Sequence, residues 1–172
     1  MRDPRAAGAR LKPAVFEATT RDAEATRTIG EALGRALEAG DVVLLEGELG
    51  TGKTVFAQGL ARGLGLRGAV KSPTFTLVHE HHASAWPGAR TDFAHLDLYR
   101  LPEGAAILDL GLDDFLEHGV VAAEWGARLA EAYPEHVLVT LADAGTPEQR
   151  RVRIEGAGEK GTARVRAIAG KA

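Results

Sequence analysis

The sequence predicts an α/β fold of three layers, in which helices cover both faces of a mostly parallel central sheet. Short apolar runs at 42–45, 93–96 and 120–123 are typical of buried parallel strands. Segments with apolar residues at helical spacing alternate with these runs, as in βαβ units. A glycine-rich loop joins the first run directly to a helix. With 172 residues, the chain is long enough for one domain with one substantial core.

The N-terminal end is expected to lie outside the domain. Residues 1–14 are basic but contain no apolar stretch, which predicts a disordered tail rather than a secretory signal; a basic contact arm is the alternative. The single domain then spans 15–170 and begins with an edge strand at 15–18. Thr20 or Asp22 can cap the helix that follows.

Further elements alternate along the rest of the chain. They are a strand that begins within 72–78, a hairpin turn at 81–90, a helix at 103–118, another helix near 127–132 and a strand at 137–141. Two alternating segments around Val152 and Val165 predict a C-terminal hairpin about a turn at 156–161. The antiparallel strands are therefore expected at the edge of the sheet and in this hairpin.

Residues 47–54, which we call the glycine loop, match the phosphate-binding pattern G-x-x-x-x-G-K-[ST] in full. In such a loop, backbone N–H groups surround the phosphates, the lysine neutralises their oxygens and the hydroxyl binds Mg²⁺. The following helix also directs its N-terminus at the phosphates. The loop therefore predicts binding of a nucleoside triphosphate with Mg²⁺. The predicted nucleotide-binding residues here are Gly47, Gly50, Thr51, Gly52, Lys53, Thr54 and Val55.

Two apolar strands end in a carboxylate, Asp97 and Glu124. In open α/β sheets, ligands bind beyond the carboxyl ends of the strands, so both carboxylates are expected near the glycine loop. An apolar strand ending in Asp is typical of the Walker B arrangement, in which Asp97 holds Mg²⁺ beside Thr54. Glu124 is predicted to be a second magnesium ligand or to orient an attacking water. The alternative for both is a cap on the following turn.

The segment around Ser72, Thr74 and Phe75 lies between the loop helix and the Walker B strand. Proteins with a phosphate-binding loop often have a switch segment there, in which a threonine senses the γ-phosphate. An ordinary Ser-Pro turn is the alternative.

Composition excludes several classes of protein. The formal charge of −3 argues against a broad nucleic-acid surface, and the absence of cysteine excludes disulfides and thiolate sites. No apolar run approaches the ~20 residues of a membrane span, so we expect a cytoplasmic protein without a membrane segment. The sequence contains no asparagine and therefore no guanine-reading N-K-x-D motif. A Ras-like GTPase is excluded, and adenine is the favoured base.

Other polar residues give weaker indications. The neighbouring histidines at 79, 81, 82 and 95 are expected to be loop or strand residues rather than zinc ligands, since no cysteine assists them. Trp125 is expected in the core. The cluster of Arg150, Arg151 and Arg153 is read as a solvated strand face, or alternatively as a phosphate or partner contact.

Several segments taken together resemble one family of proteins. They are the glycine loop, S-P-T-F-T-L-V at 72–78, H-L-D-L-Y-R-L at 95–101, Gly111-Leu112 and Glu124-Trp125. In this order they are similar to the TsaE (YjeE) family of bacterial ATPases of tRNA threonylcarbamoyladenosine biosynthesis. The similarity covers about residues 20–155. Gly126 departs from the pattern, because the family often has proline there.

The resemblance implies a P-loop NTPase fold, ATP and Mg²⁺ as cofactors, and the TsaD–TsaB complex as partner. In that family, TsaD transfers threonylcarbamoyl to the adenosine next to the anticodon of tRNAs reading ANN codons. Slow ATP hydrolysis by TsaE is thought to reset the complex, so that contact with tRNA is indirect.

The resemblance also implies roles for individual residues. Lys53 would hold phosphate, Thr54 and Glu124 would bind magnesium, and Asp97 would be the Walker B acid. Thr26 and Arg150 would be contacts near the nucleotide. The segment 72–75 would report ATP to the partner.

Two other functions remain open on the residues alone. A small-molecule or nucleoside kinase shares the same loop, although no arginine-bearing lid is evident between 101 and 150. A nucleotide-gated binding module with negligible turnover is the other alternative.

Overall fold

The computed structural model describes residues 14–68, 73, 77–102 and 110–170. Its helices are α1 (Ala23–Ala36), α2 (Lys53–Gly63), α3 (Leu112–Leu116) and α4 (Gly158–Ala169). Its strands are β1 (Val15–Thr20), β2 (Val42–Glu46), β3 (Val78–His81), β4 (Asp92–Asp97), β5 (Gly119–Glu124), β6 (His136–Asp143) and β7 (Arg150–Gly156). Short 3₁₀ turns span Ala83–Ala85 and Gly126–Leu129. No helix within these ranges is long and apolar enough to cross a membrane.

The strands form one seven-stranded sheet in the order β1-β7-β6-β2-β5-β4-β3. The four central strands, from β6 to β4, are parallel to one another. Strands β3, β7 and β1 add antiparallel edges. The predicted α/β class, with a parallel centre and antiparallel additions, is confirmed. Because β2 and β5 lie in the middle of the sheet, their carboxyl ends meet at one edge.

Apolar side chains cover both faces of the sheet, as expected for buried parallel strands. Val43 and Leu45 face one core cluster, to which α1, α2 and α4 contribute. Val42 and Leu44 face the other cluster, which includes Phe115 of α3. This alternation along β2 follows from the period of two in a strand. Core packing therefore fixes β2, the strand that leads into the glycine loop, on both of its faces.

Helices α1 and α2 pack closely through glycines. A Cβ at Gly59 would lie 2.2 Å from the carbonyl oxygen of Arg27, so only glycine permits this approach. The guanidinium of Arg90 donates from Nη2 to the carbonyls of Gly34 at 2.8 Å and Gly63 at 3.3 Å. These carbonyls lie near the C-termini of α1 and α2, where backbone acceptors lack helical partners. Arg90 thus joins the ends of both helices.

The C-terminal segment differs from the prediction. The hairpin is formed by β6 and β7, and the residues after Gly156 form helix α4 instead of a strand. Val165 and Ile168 are three residues apart, so both lie on the buried face of a helix. Gly161 allows this helix to approach the sheet, since a Cβ there would meet the carbonyl oxygen of His136 at 2.0 Å. The alternation that predicted a strand was therefore read with the wrong period.

Other boundaries also differ. Of the helix predicted at 103–118, residues 103–109 lie outside the described residues, and α3 covers Leu112–Leu116. The helix predicted near 127–132 is the 3₁₀ turn at Gly126–Leu129. The predicted turn at 81–90 begins with the last residue of β3. Ala14, expected in the tail, belongs to the fold because its carbonyl accepts a hydrogen bond from Gly156 N at 3.2 Å.

Candidate functional site

The glycine loop connects β2 to α2 at the carboxyl edge of the sheet. Gly47, Gly50 and Gly52 have φ angles of 142°, 82° and 98°, which side-chain-bearing residues rarely adopt. A Cβ at Gly47 would also lie 2.3 Å from the carbonyl oxygen of Leu141. The backbone path itself therefore requires the two glycines of the pattern, Gly47 and Gly52. This path brings the N-terminus of α2 to the edge where β5 and β4 end.

Lys53 is buried at the first position of α2 and faces back over the loop. Its Nζ donates to the carbonyls of Gly47 at 2.6 Å and Glu48 at 3.0 Å. It also lies 4.2 Å from the centre of the Trp125 ring, a favourable cation–π distance. Burial lowers the pKa of Lys53, and the charge of nearby carboxylates, Glu124 foremost, opposes that shift.

The two predicted carboxylates lie side by side. Asp97 and Glu124 are register partners at the ends of the parallel strands β4 and β5, and Leu45 at the end of β2 pairs with Glu124. Thr54 Oγ1 donates to Glu124 Oε1 at 2.7 Å. Asp97 Oδ1 also accepts from the backbone N of Tyr99 at 3.0 Å, which is the turn-capping contact considered as its alternative. The topology thus brings Thr54, Asp97 and Glu124 together.

His95, whose place at the site was not predicted from the sequence, is a second partner of Glu124. Its Nε2 lies 2.8 Å from Glu124 Oε1, and its side chain is fully buried in β4. The sequence did contain a signal, because a histidine inside an apolar run lies two residues before Asp97 and hence on the same face of the strand. Burial would raise the pKa of Glu124, but the hydrogen bond and charge of His95, the hydrogen bond of Thr54 and the charge of Lys53 lower it. Glu124 is therefore held as a carboxylate.

Parts of the glycine loop, with Asp97, Glu124 and Trp125, line a cleft of about 640 Å³. Its lining residues are Leu49, Gly50, Gly52, Lys53, Thr54, Val55, Pro73, Leu77, Asp97, Tyr99, Arg100, Leu101, Glu124 and Trp125. Trp125 was expected in the core, but it is half-buried and forms one wall of the cleft. Its backbone has a left-handed φ of 57°. Its ring packs against Tyr99 with 5.0 Å between centroids. The cleft therefore has a charged floor and an aromatic wall.

Arg150 and Thr26 are not among the residues that line the cleft. Arg150 donates from Nε to the carbonyl of Thr51 at 3.1 Å and from Nη2 to that of Gly50 at 3.2 Å. Thr26 is buried, and its hydroxyl is 2.7 Å from that of Thr20, which in turn donates to the carbonyl of Arg150 at 3.3 Å. Arg150 therefore contacts the loop backbone directly, whereas Thr26 is linked to Arg150 only through Thr20.

The predicted switch residues Ser72, Thr74 and Phe75 lie outside the described residues. Their neighbours Pro73 and Leu77 are described and line the cleft.

The histidines form no metal centre in the described ranges, where no group of three or more His, Cys, Asp or Glu side chains could hold a metal ion. The rings of His81 and His95 both stack with that of Phe93, at centroid distances of 6.2 and 6.3 Å. His82 contacts Asp92, with 2.9 Å between Nδ1 and Oδ2. These contacts place His81 and His95 in strand packing and His82 at the start of the following turn.

Comparisons with known proteins agree on one family. The model of the family described as threonylcarbamoyl adenosine biosynthesis protein TsaE matches residues 20–152. The tRNA threonylcarbamoyladenosine biosynthesis protein TsaE of Streptomyces coelicolor is 41% identical over 150 residues, which cover 84% of this chain and 99% of the relative. The Bacillus subtilis protein of the same name is 33% identical over 138 residues, covering 80% of this chain and 83% of the relative.

A solved structure supports the fold. The crystal structure of Bacillus subtilis YdiB aligns with a TM-score of 0.75 and 26% sequence identity, covering 94% of this chain and 98% of that one. The family model and the relatives together show that this chain belongs to the TsaE family of tRNA threonylcarbamoyladenosine biosynthesis.

Proposed function

We propose that this chain is a P-loop ATPase that binds ATP and Mg²⁺ in the cleft and uses its nucleotide state to act on a TsaD–TsaB complex. The observation that carries the proposal is the contact of Thr54 Oγ1 with Glu124 Oε1 at 2.7 Å, made across two elements beside Lys53 and Asp97. A hydroxyl, two carboxylates and a loop lysine at the end of parallel strands are the groups that nucleotide hydrolysis requires.

The oxygen atoms at this site fit Mg²⁺ rather than a transition metal. Thr54, Asp97 and Glu124 offer a hydroxyl and two carboxylates, which are hard ligands. Among the described residues, no group of three or more His, Cys, Asp or Glu side chains could hold a metal ion by itself. Magnesium typically binds through one or two carboxylates plus substrate phosphates, so this set suits an ion that arrives with ATP. When bound, the ion would neutralise charge that develops on the phosphate oxygens.

The side chains of the cleft divide the remaining work. Lys53 is anchored on the rigid first turn of α2, and its ammonium, which now donates to loop carbonyls, can instead donate to phosphate oxygens. Glu124 stays charged because its pKa is lowered despite burial, so it can hold the ion or orient an attacking water. Adenine is the expected base because the sequence contains no asparagine for guanine recognition.

Membership in the family supports the proposed partner. TsaE relatives are named for threonylcarbamoyladenosine biosynthesis, and we infer that this chain binds and resets the TsaD–TsaB complex that modifies tRNAs reading ANN codons. The chain itself then transfers no threonylcarbamoyl group and contacts tRNA only through the complex. Such a role belongs to the cytoplasm, where tRNA is modified.

The test is multiple-turnover ATP hydrolysis by the chain alone and with TsaD–TsaB. We expect slow release of ADP and phosphate that the complex accelerates, and ATP affinity at least about tenfold above that for GTP, on the order of 1.4 kcal/mol. Lys53→Ala should abolish tight ATP binding in calorimetry. Phosphorylated nucleosides would indicate a kinase instead. Binding to the complex without turnover would indicate a nucleotide-gated binding module.

A further inference from the structure

His95 is a fully buried polar residue in the middle of β4 that the proposed chemistry does not use. Its Nε2 lies 2.8 Å from Glu124 Oε1. Its Nδ1 is buried and has no hydrogen-bond partner among the described residues. Buried polar atoms are normally paired. Because Nδ1 is unpaired within the described ranges, no wider hydrogen-bond network there explains the position of this ring. The contact with Glu124 is the polar interaction that accounts for a histidine here.

The hydrogen bonds on Glu124 are arranged asymmetrically. Thr54 Oγ1 and His95 Nε2 contact the same oxygen, Oε1, at 2.7 and 2.8 Å. A carboxylate oxygen only accepts hydrogen bonds, so the proton between His95 and Glu124 is on Nε2. Oε1 thus accepts hydrogen bonds from two donors on different elements, α2 and β4, and these bonds fix the orientation of the carboxylate. The other oxygen, Oε2, is then left for a ligand in the cleft.

We propose that His95 is a positioning residue, which holds Glu124 in the orientation that ATP hydrolysis requires. The inference rests on the proposed function. His95 is not among the residues that line the cleft, so it acts through Glu124 and does not touch the nucleotide itself. Residues that orient the ligands of a metal commonly contribute roughly 10- to 100-fold to metal affinity or activity.

Three substitutions separate this role from simple packing. His95→Leu fills the site without a donor. His95→Gln places an amide N–H near the position of Nε2, whereas the shorter amide of His95→Asn reaches only the position of Nδ1. With TsaD–TsaB present, kcat should fall roughly 10- to 100-fold in the Leu and Asn variants and recover most of this loss in the Gln variant. Calorimetric ATP affinity should change less than kcat.

The matched control is His79→Leu. His79 is the cross-strand register partner of His95 on the same face of the sheet, but it makes no hydrogen bond to Glu124. The kcat of the His79→Leu variant should stay at the wild-type value. Thermal melting of every variant restricts the comparison to proteins that fold. If the Leu variant does not fold, the difference in kcat between the Gln and Asn variants tests the positioning role.

A second readout is independent of activity. In protein with isotope-labelled histidine, NMR should show an exchange-protected imidazole N–H proton at Nε2 of His95. Glu124→Ala should shift or abolish this signal. Equal kcat in the Gln, Asn and Leu variants, or an unchanged signal in Glu124→Ala, would overturn the positioning role. A wild-type protein that neither binds nor hydrolyses ATP, but gives the expected NMR result, would instead overturn the proposed function and with it the role of His95 in hydrolysis.

Discussion

Arg150 on β7 donates from Nε to the backbone carbonyl of Thr51 at 3.1 Å, and so joins the glycine loop to a strand 99 residues further along the chain. Its Nη2 also donates to the carbonyl of Gly50 at 3.2 Å. Bonds from a charged donor to carbonyls are stronger than neutral ones. Because they hold two consecutive carbonyls of the loop, they favour one orientation of its peptide groups. Arg150 therefore supports the loop and does not line the cleft.

We first predict that Arg150→Ala weakens ATP binding by about tenfold, which corresponds to the loss of roughly 1.4 kcal/mol of loop ordering. Arg150→Lys should restore little, because a single ammonium cannot reproduce the two-pronged contact of a guanidinium. Calorimetric titration with ATP measures both variants. The control is Arg151→Ala, an exposed neighbour whose removal should leave affinity unchanged. Equal affinities in the Arg150 and Arg151 variants would refute the support role.

The second prediction separates binding from turnover. Asp97→Asn and Glu124→Ala remove carboxylates that matter most when charge moves between phosphate oxygens, so hydrolysis should fall further than nucleotide affinity. ATP affinity by calorimetry and steady-state hydrolysis with TsaD–TsaB give the two quantities. A Glu124→Ala protein that hydrolyses ATP at the wild-type rate would show that this residue only shapes the end of β5.

Much of the site could be predicted because its chemistry is local or follows a simple rule of topology. The glycine loop is a run of consecutive residues, and the backbone angles at Gly47 and Gly52 require glycine at those two positions. The convergence of Asp97 and Glu124 follows from parallel strands, whose carboxyl ends lie at one edge. Neither inference needs detailed knowledge of packing.

The parts that could not be predicted depend on contacts between distant residues. His95 and Glu124 are 29 residues apart, and only the register of β4 with β5 brings them together. The spacing of Val165 and Ile168 alone does not show the surface of β6 and β7 against which they pack. That surface selects the helical face, so the sequence predicts a strand where the structure has α4. Tertiary packing decided both cases, as it often does for short amphipathic segments.

The third prediction concerns the contact of α1 with α2. Gly59→Ala places a Cβ 2.2 Å from the carbonyl oxygen of Arg27, which the backbone can relieve only by separating the helices. We expect a loss of roughly 1–3 kcal/mol in the free energy of unfolding, typical of overpacking, although alanine favours helix formation. Urea denaturation measures this loss. Gly170→Ala is the control, because its nearest contact is an ordinary 3.6 Å and its φ is negative, so stability should be nearly unchanged.

The last prediction concerns Tyr133, whose hydroxyl donates to Asp113 Oδ1 at 2.9 Å and so joins the segment after Leu129 to α3. Burial, with the hydrogen bond to Asp113 and the charge of that carboxylate, raises the pKa of Tyr133 from 10.0 to about 12. The folded protein then holds this proton more tightly than the unfolded chain does. Its contribution to stability is complete below pH 10 and is lost as the pH rises through the folded pKa.

Ultraviolet titration can follow this ionisation directly, since the chain has 2 tyrosines and the difference between wild type and Tyr133→Phe isolates one of them. We expect Tyr133 to ionise near pH 12 in the folded protein, and Asp113→Asn to shift that ionisation to lower pH because it removes the neighbouring charge. Urea denaturation at rising alkaline pH should show a steeper loss of stability for wild type than for Tyr133→Phe. A tyrosine that ionises near its ordinary value of 10.0 in both the wild type and Asp113→Asn would show that this contact does not hold α3 in solution.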